Sequence, residues 1–444
     1  MKALGMLSGL LASLALAQPP IPRPAPELPV RSPEVHPDRR VTFRLRGPDV
    51  REVKLNASWH QGEKNLVRKD DGIWSLTIGP LEPEIYNYTY SIDGVATIDP
   101  HNPAVKTGVR SASSVLEVPS DSAAFYDLRD VPHGAVHIHH YRSKATGTTR
   151  RLHVYTPPGY TGAGRRYPVL YLLHGAGDDD RGWIDIGRAN LIFDNLLAER
   201  KAAEALVVMP FGHMLPLDDP RTDREQQNRL FEKDLLEDVI PFIESTYRVR
   251  RDAASRAIAG LSMGGSQSAR IGLGNTDRFH WVGMFSAAVR QPTSNEAIQR
   301  FLANPERSNA ALRLLWIGCG KDDFLIQANE EFVALLEAKG IRHAWRLTEG
   351  DHSWPVWRRY LRELLPLLFA PSATAAAKPA TNEAGTSQVK EIGSRSPIHA
   401  EPKATSTLDA LPTRNPAIPA LALTRGNVTV QVVRAATEAK RARR

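Results

Sequence analysis

The chain has 444 residues, 42% of them hydrophobic and 24% charged, a globular composition with room for more than one core. Its single cysteine, Cys319, excludes an intrachain disulfide and a cysteine-based metal cluster. The net charge of +8 does not mark a nucleic-acid binder: residues 371–444 hold 11 Lys and Arg against 5 Asp and Glu, which leaves a near-neutral 46 against 44 for the rest, and no basic, aromatic-studded patch occurs.

Residues 1–17 predict a cleavable export signal. Lys2 supplies the positive start, Leu7 to Leu16 the apolar run, and Ala15-Leu16-Ala17 the small-x-small cleavage pattern. A secreted or periplasmic product is expected. No later stretch approaches the roughly 18 apolar residues of a membrane span. Residues 18–33 are proline-rich and read as an extended linker. Residues 34–118 carry short strand signals, Val41–Leu45, Val53–Asn56, Ile73–Ile78 and Ile85–Ile92, bounded by Gly, Pro or Asp, and predict a small all-β sandwich. Within it Trp59, Trp74, Tyr86, Tyr88 and Tyr90 read first as core aromatics and second as a surface for stacking on sugar rings, a possible polysaccharide contact.

From about residue 130 to 370 the pattern changes. Apolar runs at 169–173, 205–209, 257–260, 284–286 and 314–318 alternate with helical stretches such as 190–200, 233–245 and 326–339. That alternation predicts an α/β fold with a mostly parallel sheet covered on both faces. Residues 371–444 are rich in Ala, Pro, Ser and Thr and are expected to be a disordered basic tail; Val428–Val433 is a β-prone exception with no assigned role.

The strongest chemical signal is Gly260-Leu261-Ser262-Met263-Gly264-Gly265, after the strand-like Arg256–Ala259 and before a helix-compatible stretch. This is the context of a Gly-x-Ser-x-Gly nucleophile elbow, in which a tight turn flanked by small residues thrusts the serine hydroxyl out over the sheet. A hydroxyl needs a base to become a nucleophile. His352, in the loop Gly350-Asp351-His352-Ser353-Trp354, is the candidate; the nearby His343 lies in an extended run and reads as a strand residue. The orienting acid belongs just past the strand 314–318, where Asp322 and Asp323 stand side by side and spacing does not choose between them. The oxyanion hole takes two backbone N–H donors, one from Met263 and one from the loop His174-Gly175-Ala176-Gly177, where Ala176 is the candidate. His137, His139 and His140 complete no recognised metal-ligand spacing, so neither a metal nor a cofactor is implied.

The stretches Tyr171–Asp179 with Trp183, Gly187-Arg188-Ala189-Asn190, Asp194–Leu197, Asp234–Asp238 with Ile243-Glu244, and Ala257–Gly265 resemble the feruloyl esterase and esterase D branch of the α/β-hydrolases, which also holds enterochelin esterases and mycolyltransferases. The resemblance runs over nearly all of residues 130–370. It implies that the acid ends a Gly-x-x-Asp motif, here Gly320-Lys321-Asp322-Asp323, which favours Asp323, and that the histidine sits in a Gly-x-His loop, here His352. The loop Phe211–Arg229 departs from the family pattern, so no binding residue carries over there. Residues 34–118, through Asp71-Gly72-Ile73-Trp74, Gly94 and Asp99-Pro100, resemble early-set, immunoglobulin-like modules that precede glycogen-branching enzymes and many bacterial feruloyl esterases. Together these imply a carbohydrate-linked ester substrate, with a siderophore esterase, a sugar acyltransferase and a non-catalytic carbohydrate-binding protein as rival readings.

Overall fold

The computed structural model describes residues 29–161, 164–216, 223–289, 292 and 295–370. The expected signal peptide, most of the linker and the tail with its Val428–Val433 segment lie outside the described residues.

Residues 34–118 form two antiparallel sheets. One runs in the order 34–35, 41–46, 73–78, 67–68. The other runs 64–65, 53–57, 84–92, 112–118, 105–107, with 95–97 paired on 84–92. Alternation along the strands places Val41, Phe43, Leu45, Val53, Leu55, Trp74, Tyr88 and Tyr90 in one buried cluster. The five aromatics singled out in the sequence therefore divide. Trp74, Tyr88 and Tyr90 are core residues, whereas Trp59 and Tyr86 are only partly buried. A buried carboxylate, Asp99, fastens this core by accepting from Ser32 Oγ at 2.6 Å and Tyr88 Oη at 2.8 Å.

The larger sheet has eight strands in the order Ala135–Arg142, Thr149–Thr156, Leu206–Pro210, Val169–Leu173, Arg256–Leu261, Trp281–Phe285, Leu314–Gly320 and Ala344–Thr348. The first two pairings are antiparallel and the rest parallel. The inner parallel strands Val169–Leu173, Leu206–Pro210 and Trp281–Phe285 are apolar and buried throughout because both faces are covered, whereas the edge strand Ala344–Thr348 is partly exposed and carries Arg346. Val169, Tyr171 and Leu173 point into one hydrophobic cluster, with side chains of the helices Met263–Gly274 and Ile326–Ala338; Leu170 and Leu172 point into the other, with the helices Ala189–Ala198 and Trp354–Leu364.

The helix expected at 233–245 departs from its predicted outline. It starts at Arg224, where Asp223 caps it by accepting from the Glu225 and Gln226 amides, and it widens into a π-turn over Leu235–Val239 before resuming as Ile240–Thr246. Pro241 has no amide to donate four residues back, so the backbone accommodates it just after a wider turn.

Several family-like stretches serve as fasteners. Asp194 accepts from His133 Nδ1, the Gly134 amide and Tyr155 Oη, and Asn195 Nδ2 donates to Phe125 and Asp127 carbonyls. Asp234 accepts from Tyr141 Oη, and Asp238 from the Lys144 and Ala145 amides, which secures the first hairpin of the sheet. Gly187 is hemmed in, since a Cβ there would stand 2.7 Å from the Trp354 ring and 2.8 Å from Trp183.

The two β- and α/β-regions are joined through buried groups. Arg358, fully buried on the last long helix, pairs with Glu84 and donates to the Ile186 carbonyl at 2.6 Å; Ile85 sits in the same apolar cluster as Trp354 and Trp357. Removing one partner of a buried ion pair leaves an uncompensated charge and costs about 3–5 kcal/mol, whereas an exposed pair is worth at most about 1 kcal/mol. We therefore expect Glu84→Ala to lower unfolding free energy in urea by about 3 kcal/mol or more, and Glu117→Ala, which breaks the open Arg188–Glu117 bridge, by less than about 1 kcal/mol. Equal losses would contradict the assignment of the seam's strength to Arg358.

Candidate active site

The strand Arg256–Leu261 runs directly into Ser262 and the helix Met263–Gly274. Ser262 has φ +52° and ψ −112°, a backbone conformation that costs a non-glycine residue on the order of 1–3 kcal/mol and survives only where the surroundings enforce it. The surroundings are explicit. A Cβ on Gly260 would stand 2.6 Å from the Gly264 carbonyl carbon, and one on Gly264 would stand 2.6 Å and 2.7 Å from the Leu173 and His174 carbonyl oxygens. The helix can press against the strand and the neighbouring loop only because both positions lack a side chain. Ser262 N–H then donates to Phe285 O at 2.8 Å, fastening the turn to the next strand.

Asp323 is buried at the end of the strand Leu314–Gly320, and His352 stands in the loop before the helix Trp354–Leu364. His352 Nδ1 lies 3.0 Å and 2.9 Å from the two Asp323 carboxylate oxygens, and Leu325 N–H donates to Oδ1 at 2.8 Å. Burial pushes the Asp323 carboxyl up, but hydrogen bonds from His352, Ser286 and the Leu325 amide outweigh it and hold the group below the ordinary carboxylate range. Its neighbour Asp322 is exposed and meets His352 in no hydrogen bond; its amide donates to the Gly350 carbonyl. His343 lies just before the last strand, its Nδ1 against the Ile341 carbonyl.

His352 is packed rather than free. Phe324 lies over it at 4.5 Å between ring centroids, and Trp357 meets it edge-on at 4.9 Å. With Nδ1 committed to Asp323, Nε2 is the nitrogen left for the cleft. Ser262 and His352 both line one cleft of about 900 Å³. Among the described residues no hydrogen bond joins Ser262 Oγ to His352; such contacts in unliganded sites commonly tighten only when substrate is bound.

The loop after Val169–Leu173 reaches the same cleft through Gly175, Ala176, Gly177 and Asp178, and Gly175 stands so close to Ser262 that a Cβ there would lie 3.6 Å from the Ser262 Cβ. The sequence pointed to Ala176 in this loop but gave no role to His174, and the structure shows what this side chain does. His174 Nε2 accepts from the Gly212 amide at 2.8 Å, so the proton must sit on Nδ1, which donates to the Gly175 carbonyl at 2.8 Å. The Asp178 amide donates to that carbonyl as well, at 3.1 Å. A trans peptide points its N–H opposite to its C=O, so pinning the Gly175 oxygen fixes the direction of the Ala176 N–H. His213, on the adjacent loop, packs against the His174 ring at 5.6 Å between centroids. The Met263 N–H belongs to the first turn of its helix, where amides have no intrahelical acceptor.

The cleft is not built by the α/β region alone. Trp59, Tyr86, Asn87 and Lys106 of the β-region line it together with Phe324, Trp354 and Trp357. Lys106 Nζ bonds Asp178 at 2.5 Å, both ends being largely buried, and Val109 N–H donates to Gly177 O at 3.3 Å, so the β-region grips the loop that carries Ala176. No pattern in the sequence announces these contacts.

The sequence profile of the Esterase family matches residues 143–368, just over half of the chain. An endo-1,4-β-xylanase/feruloyl esterase of Xylanibacter ruminicola is 31% identical over 359 residues, which is 79% of this chain and 47% of that protein. The chain thus spans about half the length of that relative. An acetyl esterase of Caldicellulosiruptor saccharolyticus is 23% identical over 224 residues, 44% of this chain and 80% of that protein. Among solved structures, the enterobactin esterase FES of Shigella flexneri is 19% identical, covers 74% of this chain and 93% of its own, and superposes with a TM-score of 0.57, a likeness of fold.

Burial lowers the affinity of the His174 and His213 imidazoles for a proton, His213 to about 4. The unfolded chain takes up protons near pH 6.5 that the folded chain refuses, so this part of the stability is complete above about pH 6.5 and is lost as pH falls toward 4. Between pH 7 and 5 the wild type should lose about 2 kcal/mol more unfolding free energy than His213→Asn. Parallel losses, read by urea denaturation at both pH values, would show that His213 is not held neutral.

Proposed function

The chain belongs to the Esterase family, and from that premise we propose that it is an exported carboxylic ester hydrolase that works through an acyl-enzyme on Ser262. The observation that carries the reading is the meeting, on one cleft, of a serine held at φ +52° with a histidine whose Nδ1 is bonded to a buried carboxylate. Ser262 Oγ attacks the ester carbonyl while His352 Nε2 takes its proton. Asp323 keeps Nδ1 protonated and stabilises the imidazolium that forms. The Ala176 and Met263 N–H groups receive the charge that develops on the carbonyl oxygen. His352 returns its proton to the leaving alcohol, and water then repeats the sequence to free the acid.

The substrate we propose is a feruloyl-type ester on plant cell-wall xylan. Two observations support it. The xylanase/feruloyl esterase of Xylanibacter ruminicola aligns over 79% of this chain. The cleft is lined by the exposed ring of Phe324 and the partly buried rings of Trp59 and Tyr86, and such rings suit a planar aromatic acid or the faces of sugar rings. The β-region then contributes the wall against which the polysaccharide lies. Export is the compartment in which such a polymer is met, and among the described residues no helix is long and apolar enough to cross a membrane.

The test is a panel of esters: methyl ferulate, a feruloylated xylan oligosaccharide, an acetylated sugar and an iron-bound catecholate trilactone, each with wild type and Ser262→Ala. We expect hydrolysis of the ferulates, with the oligosaccharide preferred, and a fall of at least ~10³ in kcat on loss of the hydroxyl. Activity that survives the substitution would overturn the mechanism, and turnover confined to the trilactone would overturn the substrate.

A further inference from the structure

Ser286 follows the strand Trp281–Phe285, fully buried, with φ +46°, a left-handed backbone conformation that favours glycine. A serine kept there has a use for its hydroxyl. Its amide donates to Gly318 O at 2.7 Å, which sets the residue beside the strand that delivers Asp323. Trp357 Nε1 donates to Ser286 Oγ at 3.1 Å. An indole N–H is a donor only, so Ser286 Oγ is the acceptor in that bond and its own proton must go elsewhere. Beside it stand the Cys319 sulfur and the Asp323 carboxylate, and its hydroxyl favours the ionised form of each. A carboxylate is much the stronger acceptor, and hydrogen bonds to ionised oxygen are roughly twice as strong as neutral ones.

We propose that Ser286 is a positioning residue for the acid of the catalytic group. Trp357 N–H fixes the Ser286 hydroxyl, and the hydroxyl fixes the Asp323 carboxylate against His352. The chain Trp357–Ser286–Asp323–His352 closes on itself, because the Trp357 ring also packs edge-on against His352 at 4.9 Å. One side chain of the last long helix thereby steadies both the base and, through Ser286, the acid that orients it. The Leu325 amide holds the other side of the carboxylate. With donors on both sides, Asp323 cannot swing away when the imidazole becomes charged. This inference rests on the proposed roles of Asp323 and His352.

The experiment uses the full chain and four variants, with kcat, KM and the pH dependence of kcat/KM measured on the best ester of the panel. Ser286→Gly removes the hydroxyl at a position whose φ suits glycine, so folding is not put at risk. Ser286→Ala removes it and keeps the backbone strain. Trp357→Phe keeps an aromatic ring beside His352 while removing the N–H together with part of the buried indole. Asp323→Asn tests the underlying assignment. Without the hydroxyl the carboxylate is more basic and holds the imidazole proton harder, so the acid limb of the kcat/KM profile should move to higher pH. We expect kcat to fall about tenfold in both Ser286 variants with KM unchanged, as the loss of one hydrogen bond to a charged group implies. Trp357→Phe should fall less, and combining it with Ser286→Gly should add nothing further. If Asp323→Asn is inactive while Ser286→Gly keeps the wild-type kcat and pH profile, the proposal is wrong and the catalytic reading stands. A kcat loss with an unmoved acid limb also overturns it, since that is a packing effect. An active Asp323→Asn enzyme would remove the catalytic reading itself.

Discussion

The close approach of two backbones governs this molecule. The helix Met263–Gly274 lies so near the strand Val169–Leu173 and its following loop that Gly264 has no space for a methyl group. That contact forces Ser262 into its strained turn and sets the Gly175–Ala176 peptide beside it. Everything chemical then follows from what can be arranged around a hydroxyl in that position. Hydrogen bonds hold the surroundings in place: Ser262 N–H to the next strand, His174 to the Gly175 carbonyl, and His352 to the Asp323 carboxylate. Pre-organised dipoles of this kind need not reorient as charge develops, which is why sites of acyl transfer are built on rigid elements.

A second constraint comes from the β-region. It is not an appendage on a flexible tether, because its contacts fall on the loop that carries Ala176 and on the helix that follows His352. Lys106 and Val109 hold the Ala176 loop, and Glu84 meets Arg358 on the helix that follows His352. A buried guanidinium with one carboxylate partner is costly to leave alone, so the two regions are interdependent for stability as well as for the shape of the cleft. The same arrangement brings aromatic rings from both regions to the cleft that Ser262 lines: Trp59 and Tyr86 come from the β-region, Phe324 from the loop after the strand Leu314–Gly320.

Much of this was legible in the sequence, for identifiable reasons. The parallel strands were readable because strands covered on both faces are apolar without interruption, as in Val169–Leu173, and the elbow because its glycines obey a local steric rule. His352 and the pair Asp322 and Asp323 could be proposed because each lies in a loop just past a strand, where α/β sheets gather their functional groups; only the family resemblance, through Gly320-Lys321-Asp322-Asp323, favoured Asp323. The aromatic set in 59–90 was ambiguous, since a period of two reports a shared strand face but not whether that face meets a core, a cleft or water; the strand 84–92 does two of these, burying Tyr88 and Tyr90 and lending Tyr86 to the cleft. Contacts between residues far apart in the chain were invisible. Nothing near Glu84 points to Arg358, nothing near Ser286 points to Trp357, and His174 looked like part of a glycine turn until its two ring nitrogens were seen to be fully committed.

The central claim is that Ser262 carries the acyl group. The direct measurement is intact-mass and peptide mass spectrometry of the full chain after a brief reaction with a fluorophosphonate or a slowly hydrolysed aryl ester. The claim requires one stoichiometric adduct, located on Ser262, its formation greatly slowed in His352→Ala. A stoichiometric adduct on any other side chain, or labelling indifferent to His352, would contradict it.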